Sequence, residues 1–350
     1  MEIITITANE AGQRLDRFLK KYLRAAPLSL VYRLVRKDVK VNGARKGIDY
    51  IVEEGDEIAL YIDSARVDEL SRSGQVRAGG AFRHSRVQFK VCYEDGNILV
   101  VSKPYGLLTH GDAKEKKDTL VNQVIGYLLE KGEYNPRAER MFTPSPVNRL
   151  DRNTTGLVVF GKNSKAVRDF SRMIAAEDAV RKYYTALVLG EMDGAWVIDG
   201  SIRKDEAHNR VEVTSTDVTV NVHASAYTSS VPSTKSAKRA MTIVCPTETI
   251  QSGAHTYTIV EVRLVTGRTH QIRAHLAAVG HSIAGDPKYG DMAFGRFLAR
   301  RYGLRSQFLH AGRIEITEGR GSLEYLTGSV IESALPGRLS NLLDALRQGI

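Results

Sequence analysis

The stretch PVNRLDRNTTGLVVFGKN, residues 146–163, joins a polar turn to an apolar run that needs a protein core around it. The Asn, Thr and Gly residues predict a turn, and the run LVVF predicts a buried strand. A single carboxylate, Asp151, lies in the turn between Arg149 and Arg152, which would keep it ionised at neutral pH. Asp151 is therefore either an ion-paired turn residue or a reactive group held at the end of a rigid element. The local pattern alone favours the ion-paired turn residue.

Strand-like segments dominate the chain beyond residue 87. The segments FKVCYEDGNILVVSKP, KYYTALVLG and YTIVEVRLVTG predict strands, whereas TLVNQVIGYLLEK and SKAVRDFSRMIAAE predict helices. Runs of strands with occasional helices are typical of α+β proteins rather than of regular βαβ winding. We therefore expect residues 88–350 to form one domain, built on a mixed, mostly antiparallel β-sheet with flanking helices.

The first 62 residues predict a small α+β module. Helices are predicted in RLDRFLKKYLRA and LSLVYRLVRK, and short strands in VKVNGARKG and YIVEEGDEIALYI. Residues 14–46 contain eleven Lys or Arg against two acids, and the pattern resembles the S4 RNA-binding domain. That resemblance implies that the basic helices bind structured RNA; the alternative is that they are ordinary solvated helix faces. The expected RNA contacts are Arg14, Arg17, Lys20, Lys21, Arg33, Arg36 and Lys37.

Two polar segments interrupt the predicted elements. Residues 63–87 lose periodicity and gain Ser, Gly and Arg, which predicts a flexible, basic linker. Residues 213–242 are rich in Ser and Thr. This second segment is either a loop that shapes substrate choice or a solvent-facing hairpin, and the composition slightly favours the hairpin.

Composition and charge narrow the class of protein. The 350 residues are 42% hydrophobic, with only two cysteines, so a core is expected and a disulfide framework is not. No run approaches the ~18 apolar residues of a membrane span. The formal net charge of +10 favours a nucleic-acid partner. We expect a cytoplasmic protein that works as a monomer, with RNA and not a membrane as its partner.

Two apparent matches, one to a nucleotide-binding motif and one to a metal-binding motif, fail on chemical grounds. Residues 156–163 nearly match the phosphate-loop pattern, but LVVF suits a strand rather than a loop that exposes its amides, and Asn163 replaces the Ser or Thr that holds magnesium. His270 and His275 are five residues apart, which separates them on a helix. We therefore expect neither ATP nor a metal ion.

Further motifs indicate a family. NRLDRNTTGL, residues 148–157, resembles the H-R-L-D-x-x-T-S-G-L motif of the RluA-type pseudouridine synthases, which isomerise uridine in RNA. VCYEDGNILVVSKPYGLLTHG, RKYYTALVLG, RLVTGRTHQIRAHLAAVGHSIAGDPKYG and FLHAGRI are similar to further motifs of that family, in the family's order. The resemblance covers residues 91–315, and an S4-like domain in front of the catalytic domain is a common family arrangement. Residues 88–350 would then be the catalytic domain.

The resemblance implies roles for individual residues. Asp151 would be the catalytic carboxylate, and Arg273 would pair with it. Tyr184 would stack on the flipped uracil, near the proton that leaves C5, and Arg149 would enter the base stack that the uridine leaves. Further contacts with substrate RNA are expected from Arg268 and His270.

The sequence departs from the family pattern at Asn148, where many members have His. Asn can still form hydrogen bonds, so we expect altered substrate detail rather than lost chemistry. Thr155 replaces Ser, and either hydroxyl can brace the turn.

Isomerisation of uridine breaks the C1′–N1 bond and joins C1′ to C5 with no redox change, so no cofactor is expected. A carboxylate can attack C1′ or remove the 2′ proton, and both routes stay open. The expected substrate is large-subunit (23S) ribosomal RNA, by resemblance to the RluC/RluD branch. Alternatives are transfer RNA as substrate, or a non-catalytic RNA-binding factor of ribosome assembly.

Overall fold

Two β-sheets organise the chain, and the smaller sheet has a hydrophobic core separate from those of the larger sheet. The structure, a computed structural model, describes residues 1–71, 86–112, 115–136, 142–176, 178–205, 210–220 and 237–349. In these residues one sheet has three strands and the other has eleven. The mixed, mostly antiparallel sheet with flanking helices that the strand-rich segments predicted is therefore confirmed.

The smaller sheet belongs to the N-terminal module. Its elements are β1 (Glu2–Thr5), α1 (Leu15–Tyr22), α2 (Leu28–Lys37), β2 (Val39–Val41), β3 (Glu57–Leu60) and α3 (Ser64–Ser71). The strands pair antiparallel in the order β1–β3–β2. Leu15, Phe18 and Leu19 recur on one face of α1 and are fully buried against the sheet. Both basic helices and the strands β2 and β3 occur where the sequence predicted them.

Helix α3 lies within the predicted flexible linker, residues 63–87, so that prediction is wrong for residues 64–71. Val67 and Leu70 are three positions apart, which puts them on one helical face, and both are buried in the core of the N-terminal module. The Leu70 carbonyl also accepts a hydrogen bond from the Ala25 N–H. Residues 72–85 of the predicted linker lie outside the described residues.

The larger sheet spans most of the remaining chain. Its strands are β4 (Lys90–Glu94), β5 (Ile98–Lys103), β6 (Ser145–Pro146), β7 (Thr155–Gly161), β8 (Val180–Leu189), β9 (Trp196–Asp205), β10 (Arg210–Val220), β11 (Lys238–Ser252), β12 (His255–Leu264), β13 (Leu309–Ile316) and β14 (Ser329–Glu332). The order is β10–β9–β11–β12–β8–β13–β7–β5–β4, with β14 beside β13 and β6 beside β7. Its helices are α4 (Leu120–Glu130), α5 (Ser164–Ala175), α6 (Gln271–Ala278), α7 (Met292–Tyr302) and α8 (Gly337–Arg347), with a 3₁₀ helix at Gly321–Leu326.

Both faces of the sheet are covered around β7, which explains its uninterrupted apolar run. Val158 and Phe160 belong to the core that contains α4, whereas Leu157 and Val159 point the other way, into the core that contains α5. Every residue of β7 is buried. The strand is therefore a rigid base for the loop in front of it.

Strand β7 pairs parallel with β13, at Thr155 opposite His310 and Gly156 opposite Ala311. Gly156 has a φ of +110°, and a Cβ there would lie 2.1 Å from the Ala311 carbonyl oxygen. Only glycine allows this close approach. The turn that contains Asp151 is thus fixed to the middle of the sheet.

Two local expectations are settled by the strand order and the helix caps. Strands β10 and β11 lie on opposite sides of β9, so the ends of residues 213–242 do not pair as a hairpin, and that prediction is wrong for the described part. Residues 221–236 lie outside the described residues. Asn163, at the end of the rejected phosphate-loop match, is the N-cap of α5 and accepts a hydrogen bond from the Ala166 N–H.

Candidate active site

A cavity of about 680 Å³ opens beside the N-terminal end of β7. Its walls include residues 147–153, the first half of β8, residues 108–112, Leu264, residues 267–270 and Arg273. Six cationic side chains and two carboxylates, Asp112 and Asp151, are among the described residues that line it. The excess of positive charge suits a polyanionic ligand. The cations are Arg149, Arg152, Lys182, Arg268, Arg273 and Lys288.

Asp151 is held in the cavity wall by a braced turn. The Thr154 N–H donates to the Asp151 carbonyl, closing the turn. On the preceding residue, the Thr109 hydroxyl donates to the Leu150 carbonyl at 2.9 Å, and on the following residue the buried Lys103 ammonium donates to the Arg152 carbonyl at 2.9 Å. The backbone on both sides of the carboxylate is therefore fixed.

Arg273 brings two carboxylates together. From α6, its Nη1 donates to Asp151 Oδ2 at 2.8 Å, which is the ion pair that the family resemblance implied. Its Nε and Nη2 donate to the two oxygens of Asp286 at 2.6 and 2.8 Å. A bidentate pair fixes the plane of the guanidinium. The third donor, at Nη1, is then aimed at Asp151.

Asp286 is the anchor of this arrangement, and its side chain is fully buried. It also accepts hydrogen bonds from the N–H groups of Lys288 and Tyr289, at 2.8 and 3.2 Å. Burial raises the pKa of Asp286, but hydrogen bonds and charge from Arg273 outweigh that effect and hold the pKa below its ordinary value. Burial lowers the pKa of Arg273, and Asp286 and Asp151 raise it above the ordinary value.

Tyr184 enters the cavity from the middle of β8 and is almost completely buried. Burial, and to a lesser degree the negative charge of Asp151, raises the pKa of its phenol. The hydroxyl is therefore protonated throughout the neutral range. A planar ring that lies beside a carboxylate can stack on a base and donate a hydrogen bond.

His270 also lies close to Asp151, with its Nε2 3.7 Å from Asp151 Oδ2. Its backbone is left-handed, with a φ of 52°, which is uncommon for a residue other than glycine. The Nδ1 atom is hydrogen-bonded to the Tyr289 hydroxyl at 3.1 Å, so the ring is held in place. Burial lowers the pKa of His270, with a smaller opposing effect from Asp151.

The two remaining predicted contacts lie at the rim of the cavity. Arg149 is exposed, whereas Leu150 after it is buried in the core. Arg149 and Asp151 thus line the same cavity from alternate positions. Arg268 is also exposed, and its Nε donates to the Arg239 carbonyl at 3.1 Å.

The seven basic residues predicted to bind RNA lie in the N-terminal module and do not line this cavity. Arg14 is ion-paired with Asp16 at 2.9 Å, and Lys20 donates to the carbonyls of Arg24 and Ala26. These two are therefore engaged within the module. The exposed members of the set are Arg17, Lys21, Arg33, Arg36 and Lys37. Two of these also form hydrogen bonds within the module, since Lys21 donates to Gln13 Oε1 and Arg36 donates to the Tyr32 carbonyl.

The positions that depart from the family motif both brace strand β7 and its neighbours. Asn148 accepts from the Val159 N–H at 2.8 Å and donates to the Leu157 carbonyl at 3.1 Å, so its amide joins the loop to β7. The Thr155 hydroxyl is hydrogen-bonded to Nδ1 of the buried His310 at 2.8 Å. Asn148, which also lines the cavity, thus fixes the loop to β7, and Thr155 connects β7 to His310 of β13.

Sequence reasoning missed Asp286, Lys103 and His310 as parts of the site, although the family-like motifs contain all three. Their signal was a charged or polar residue inside an otherwise apolar segment, such as Lys103 at the end of the run ILVVSK. A buried charge must be paired or hydrogen-bonded, so such residues mark specific contacts.

Within the described residues, no group of three or more His, Cys, Asp or Glu is arranged to hold a metal ion. No described helix has the length and apolar character to cross a bilayer.

Comparisons with known proteins agree on one family. The family model for RNA pseudouridylate synthase matches residues 97–278. The chain is 32% identical to ribosomal large subunit pseudouridine synthase C of Escherichia coli (strain K12), over 99% of this chain and 97% of that protein. It is 30% identical to the protein of that name from Vibrio vulnificus (strain CMCP6), over 91% and 89% of the two chains. Among solved structures, human RNA pseudouridylate synthase domain containing 4 is similar, with a TM-score of 0.49 and 22% identity over 73% of this chain and 92% of that one.

Proposed function

The chain belongs to the RNA pseudouridylate synthase family and is an isomerase, and we propose that it converts uridines of large-subunit ribosomal RNA to pseudouridine, with Asp151 as the catalytic carboxylate. The family that the motifs of residues 91–315 predicted is confirmed. One observation carries the residue assignment. Asp151, Arg273 and Tyr184 come from three separate elements and meet at one cavity that is rich in positive charge.

Asp151 would act at the sugar of a uridine that has left its base stack. Its carboxylate either attacks C1′ as the C1′–N1 bond breaks, or removes the 2′ proton to give a glycal. In both routes the bonding electrons of C1′–N1 leave with the uracil and the base rotates. C5 then joins C1′, which displaces the Asp151 carboxylate in the first route and is accompanied by return of the proton from Asp151 to C2′ in the second. Loss of the C5 proton and gain of a proton at N1 complete the isomerisation.

Arg273 would hold Asp151 in a reactive orientation. Because Asp286 fixes its guanidinium at two nitrogens, Arg273 presents one N–H to Asp151 without needing to reorganise. This ion pair uses only one Asp151 oxygen, and the Asp151 side chain is 28% exposed to solvent. The other oxygen is available to the substrate.

Tyr184 and Arg149 would stabilise the RNA with the uridine flipped out of its base stack. Extrusion of a stacked base costs a few kcal/mol. The exposed guanidinium of Arg149 at the rim can fill the space that the uridine leaves, and the Tyr184 ring can stack on the uracil inside the cavity. Since its phenol stays protonated, we assign Tyr184 a stacking and hydrogen-bonding role rather than that of a base.

The proposed substrate follows from the relatives and from the N-terminal module. The Escherichia coli and Vibrio vulnificus relatives both carry large-subunit ribosomal function in their names and match this chain over nearly its full length. The exposed cations of α1 and α2 fit an S4-like module that binds structured RNA by its backbone. Transfer RNA is the alternative substrate. A non-catalytic assembly factor would have no need for a carboxylate held by a buried arginine that a second buried carboxylate anchors.

We further propose that the chain acts in the cytoplasm as a monomer. Asp151, Arg273 and Tyr184, the residues assigned to the reaction, meet at one cavity within a single copy of the chain. Sedimentation of the purified protein with and without RNA tests this part of the proposal. A second copy required for activity would contradict it.

The central experiment maps pseudouridines in ribosomal and transfer RNA from cells that lack this protein and cells that produce it. We expect a site in large-subunit ribosomal RNA to lose its pseudouridine in the deletion strain and regain it with the wild-type protein. Asp151→Asn should restore no modification, yet bind the RNA. Asp112→Asn, which removes the other carboxylate at the cavity, is the matched control and should restore it. Modification by Asp151→Asn would refute the catalytic assignment, and a missing site only in transfer RNA would refute the substrate.

A further inference from the structure

Lys182 lies on the same strand as Tyr184, two residues earlier, and lines the same cavity. Residues two apart on a strand point to the same face. The buried face of β8 runs through Val180, Lys182, Tyr184 and Ala186, so Lys182 is a cation in a row of core residues. Its relative exposure is only 9%.

Within the described residues, the Lys182 ammonium forms no hydrogen bond and no ion pair with the protein. Lys103, the other buried lysine at this site, differs sharply, because its ammonium donates to the carbonyls of Pro104, Leu107 and Arg152. Burying an unpaired charge is costly, so such groups are normally paired. Burial lowers the pKa of Lys182. The Lys182 ammonium therefore opens on the cavity without a protein partner among the described residues and can pair with an anion that binds there.

The position of the ammonium indicates which anion fits. Lys182 Nζ lies 3.9 Å from where a Cβ on Gly267 would be, under the loop that leads to His270 and Arg273. Lys182 is thus a largely buried residue of the cavity wall, on the same strand face as Tyr184. The RNA phosphates belong to a continuous backbone and would pass the rim, where Arg149 and Arg268 are exposed.

We propose that Lys182 is a catalytic residue whose ammonium donates a hydrogen bond to a carbonyl oxygen of the uracil while the C1′–N1 bond breaks. This inference rests on the proposed function. The electron pair of C1′–N1 goes to N1 and spreads over the uracil carbonyl oxygens, so the base becomes an anion beside the cation. No proton needs to move from Lys182, and the charge is neutralised again when C5 joins C1′ and a proton is exchanged from C5 to N1.

Such an interaction is stronger in the transition state than in the ground state, because the negative charge on the base develops only as the bond breaks. Removing one donor that stabilises a developing anion typically lowers kcat by about 10²–10³-fold. Lys182→Met replaces the ammonium with an apolar chain of similar length. We expect kcat to fall by about 10²-fold with little change in RNA affinity.

The decisive readout is the dependence on the leaving group. In RNA with 5-fluorouridine at the target position, the electron-withdrawing fluorine stabilises the departing base, so less help from Lys182 is needed. Single-turnover cleavage of C1′–N1 by Lys182→Met should therefore be slowed less on this RNA than on the uridine RNA. The wild-type rate should also show an alkaline decline, as Lys182 loses its proton, that the variant lacks. Lys288→Met, which removes another lysine of the cavity, is the matched control and should slow both RNAs equally.

Stability separates this role from a structural one. An apolar side chain in place of an unpaired buried charge should leave the melting temperature of Lys182→Met equal to or above that of the wild type. A lower melting temperature would indicate a structural partner and overturn the proposal. So would an unchanged kcat, an equal loss on both RNAs, or a loss confined to affinity with a reduced salt dependence, which would assign Lys182 to a phosphate. If Lys182→Met fails to fold, Lys182→Gln, which keeps a donor, should retain more activity than Lys182→Ala.

Failure of this inference and failure of the proposed function are distinguishable. If the wild-type protein forms no pseudouridine in the uridine RNA, the proposed function is wrong. If the wild type is active and Lys182→Met matches it, only the role of Lys182 is wrong.

Discussion

Replacement of Asp286 by Asn removes the anchor of Arg273 while Asp151 stays in place. In the wild type, Arg273 donates to both Asp286 oxygens, at 2.6 and 2.8 Å, and the Asp286 side chain is fully buried. The Asn amide would keep one acceptor oxygen, which the Lys288 and Tyr289 N–H groups also use, but it would place an NH₂ group against an Arg273 donor. One buried hydrogen bond becomes a repulsive contact, and Arg273 loses a buried countercharge.

The effect of this substitution can be given a magnitude. Breaking a buried ion pair by removing one partner costs about 3–5 kcal/mol. For a domain of this size a loss of 1 kcal/mol lowers the melting temperature by about 2 °C, so Asp286→Asn should lower it by about 6–10 °C. Arg273 would also lose the plane that aims it at Asp151, and a displacement of about 1 Å at a catalytic group can lower the rate about 10²-fold.

Calorimetry and single-turnover kinetics on the RNA substrate, below the melting temperature, measure the effects on stability and on rate separately. Asp169→Asn is the matched control, because Asp169 is a buried carboxylate of the same domain that accepts from Ser322 and does not line the cavity. We expect this control to lower stability but keep the wild-type rate. An Asp286→Asn protein with the melting temperature and rate of the wild type would refute the anchoring role.

The same substitution predicts a pH dependence. The folded-state pKa of Asp286 is lowered by Arg273. Its contribution to stability is therefore fully present above its unfolded pKa of about 3.9 and is lost as the pH falls through the folded value. The difference in unfolding free energy between the wild type and Asp286→Asn should be largest at neutral pH and shrink below about pH 4. A difference that grows on acidification would contradict this assignment.

Two further predictions concern the backbone and the RNA-binding module. Gly156→Ala should prevent stable folding, because its Cβ would overlap the Ala311 carbonyl, whereas Gly303→Ala, also at positive φ but with open space around it, should cost only about 1–2 kcal/mol in thermal unfolding. Combined substitution of Arg33, Arg36 and Lys37 by Gln should weaken RNA binding and reduce the slope of log affinity against log salt by up to about 0.9 for each phosphate that is no longer neutralised. The control replaces Arg296, Arg300 and Arg301 of α7 by Gln, and an equal change of slope in both triple variants would contradict a specific role for α2.

The sequence predicted the elements well where burial leaves a periodic or continuous apolar pattern. Strand β7 is an unbroken apolar run because both of its faces are covered, and α1 is readable because its buried residues recur at helical spacing. Helix α3 was missed because only Val67 and Leu70 reach the core, and a Ser- and Arg-rich composition hides so short a pattern. The hairpin that the composition slightly favoured for residues 213–242 is wrong for the described ends of that segment, because β9 lies between β10 and β11, and pairing between distant strands leaves no local signal.

The residues of the candidate site could be predicted from the sequence, but the hydrogen bonds that connect them could not. The resemblance implied that Arg273 pairs with Asp151, and this ion pair is present. It did not reveal that Arg273 makes two of its three hydrogen bonds to Asp286. That partner is 13 residues further along the chain, in a loop, and only the folded arrangement of α6 and this loop brings both of its oxygens to the guanidinium. Sequence patterns give residue types, whereas the distribution of hydrogen bonds depends on tertiary geometry.

The arrangement of charges at this cavity explains why the fold holds costly buried groups. Asp286 and Arg273 are desolvated together before any substrate binds, and Lys182 is buried with no protein partner among the described residues. Each of these groups would be less costly in water, so stability alone does not account for them. Under the proposed function they are fixed in place and would act on charge that develops at the sugar and the base without reorganising at the moment of reaction. If that is their role, apolar replacement of Lys182 should keep or raise the melting temperature while it slows the reaction. Loss of Asp286 should lower both the melting temperature and the rate. The two substitutions differ because Asp286 has a protein partner and Lys182 has none among the described residues.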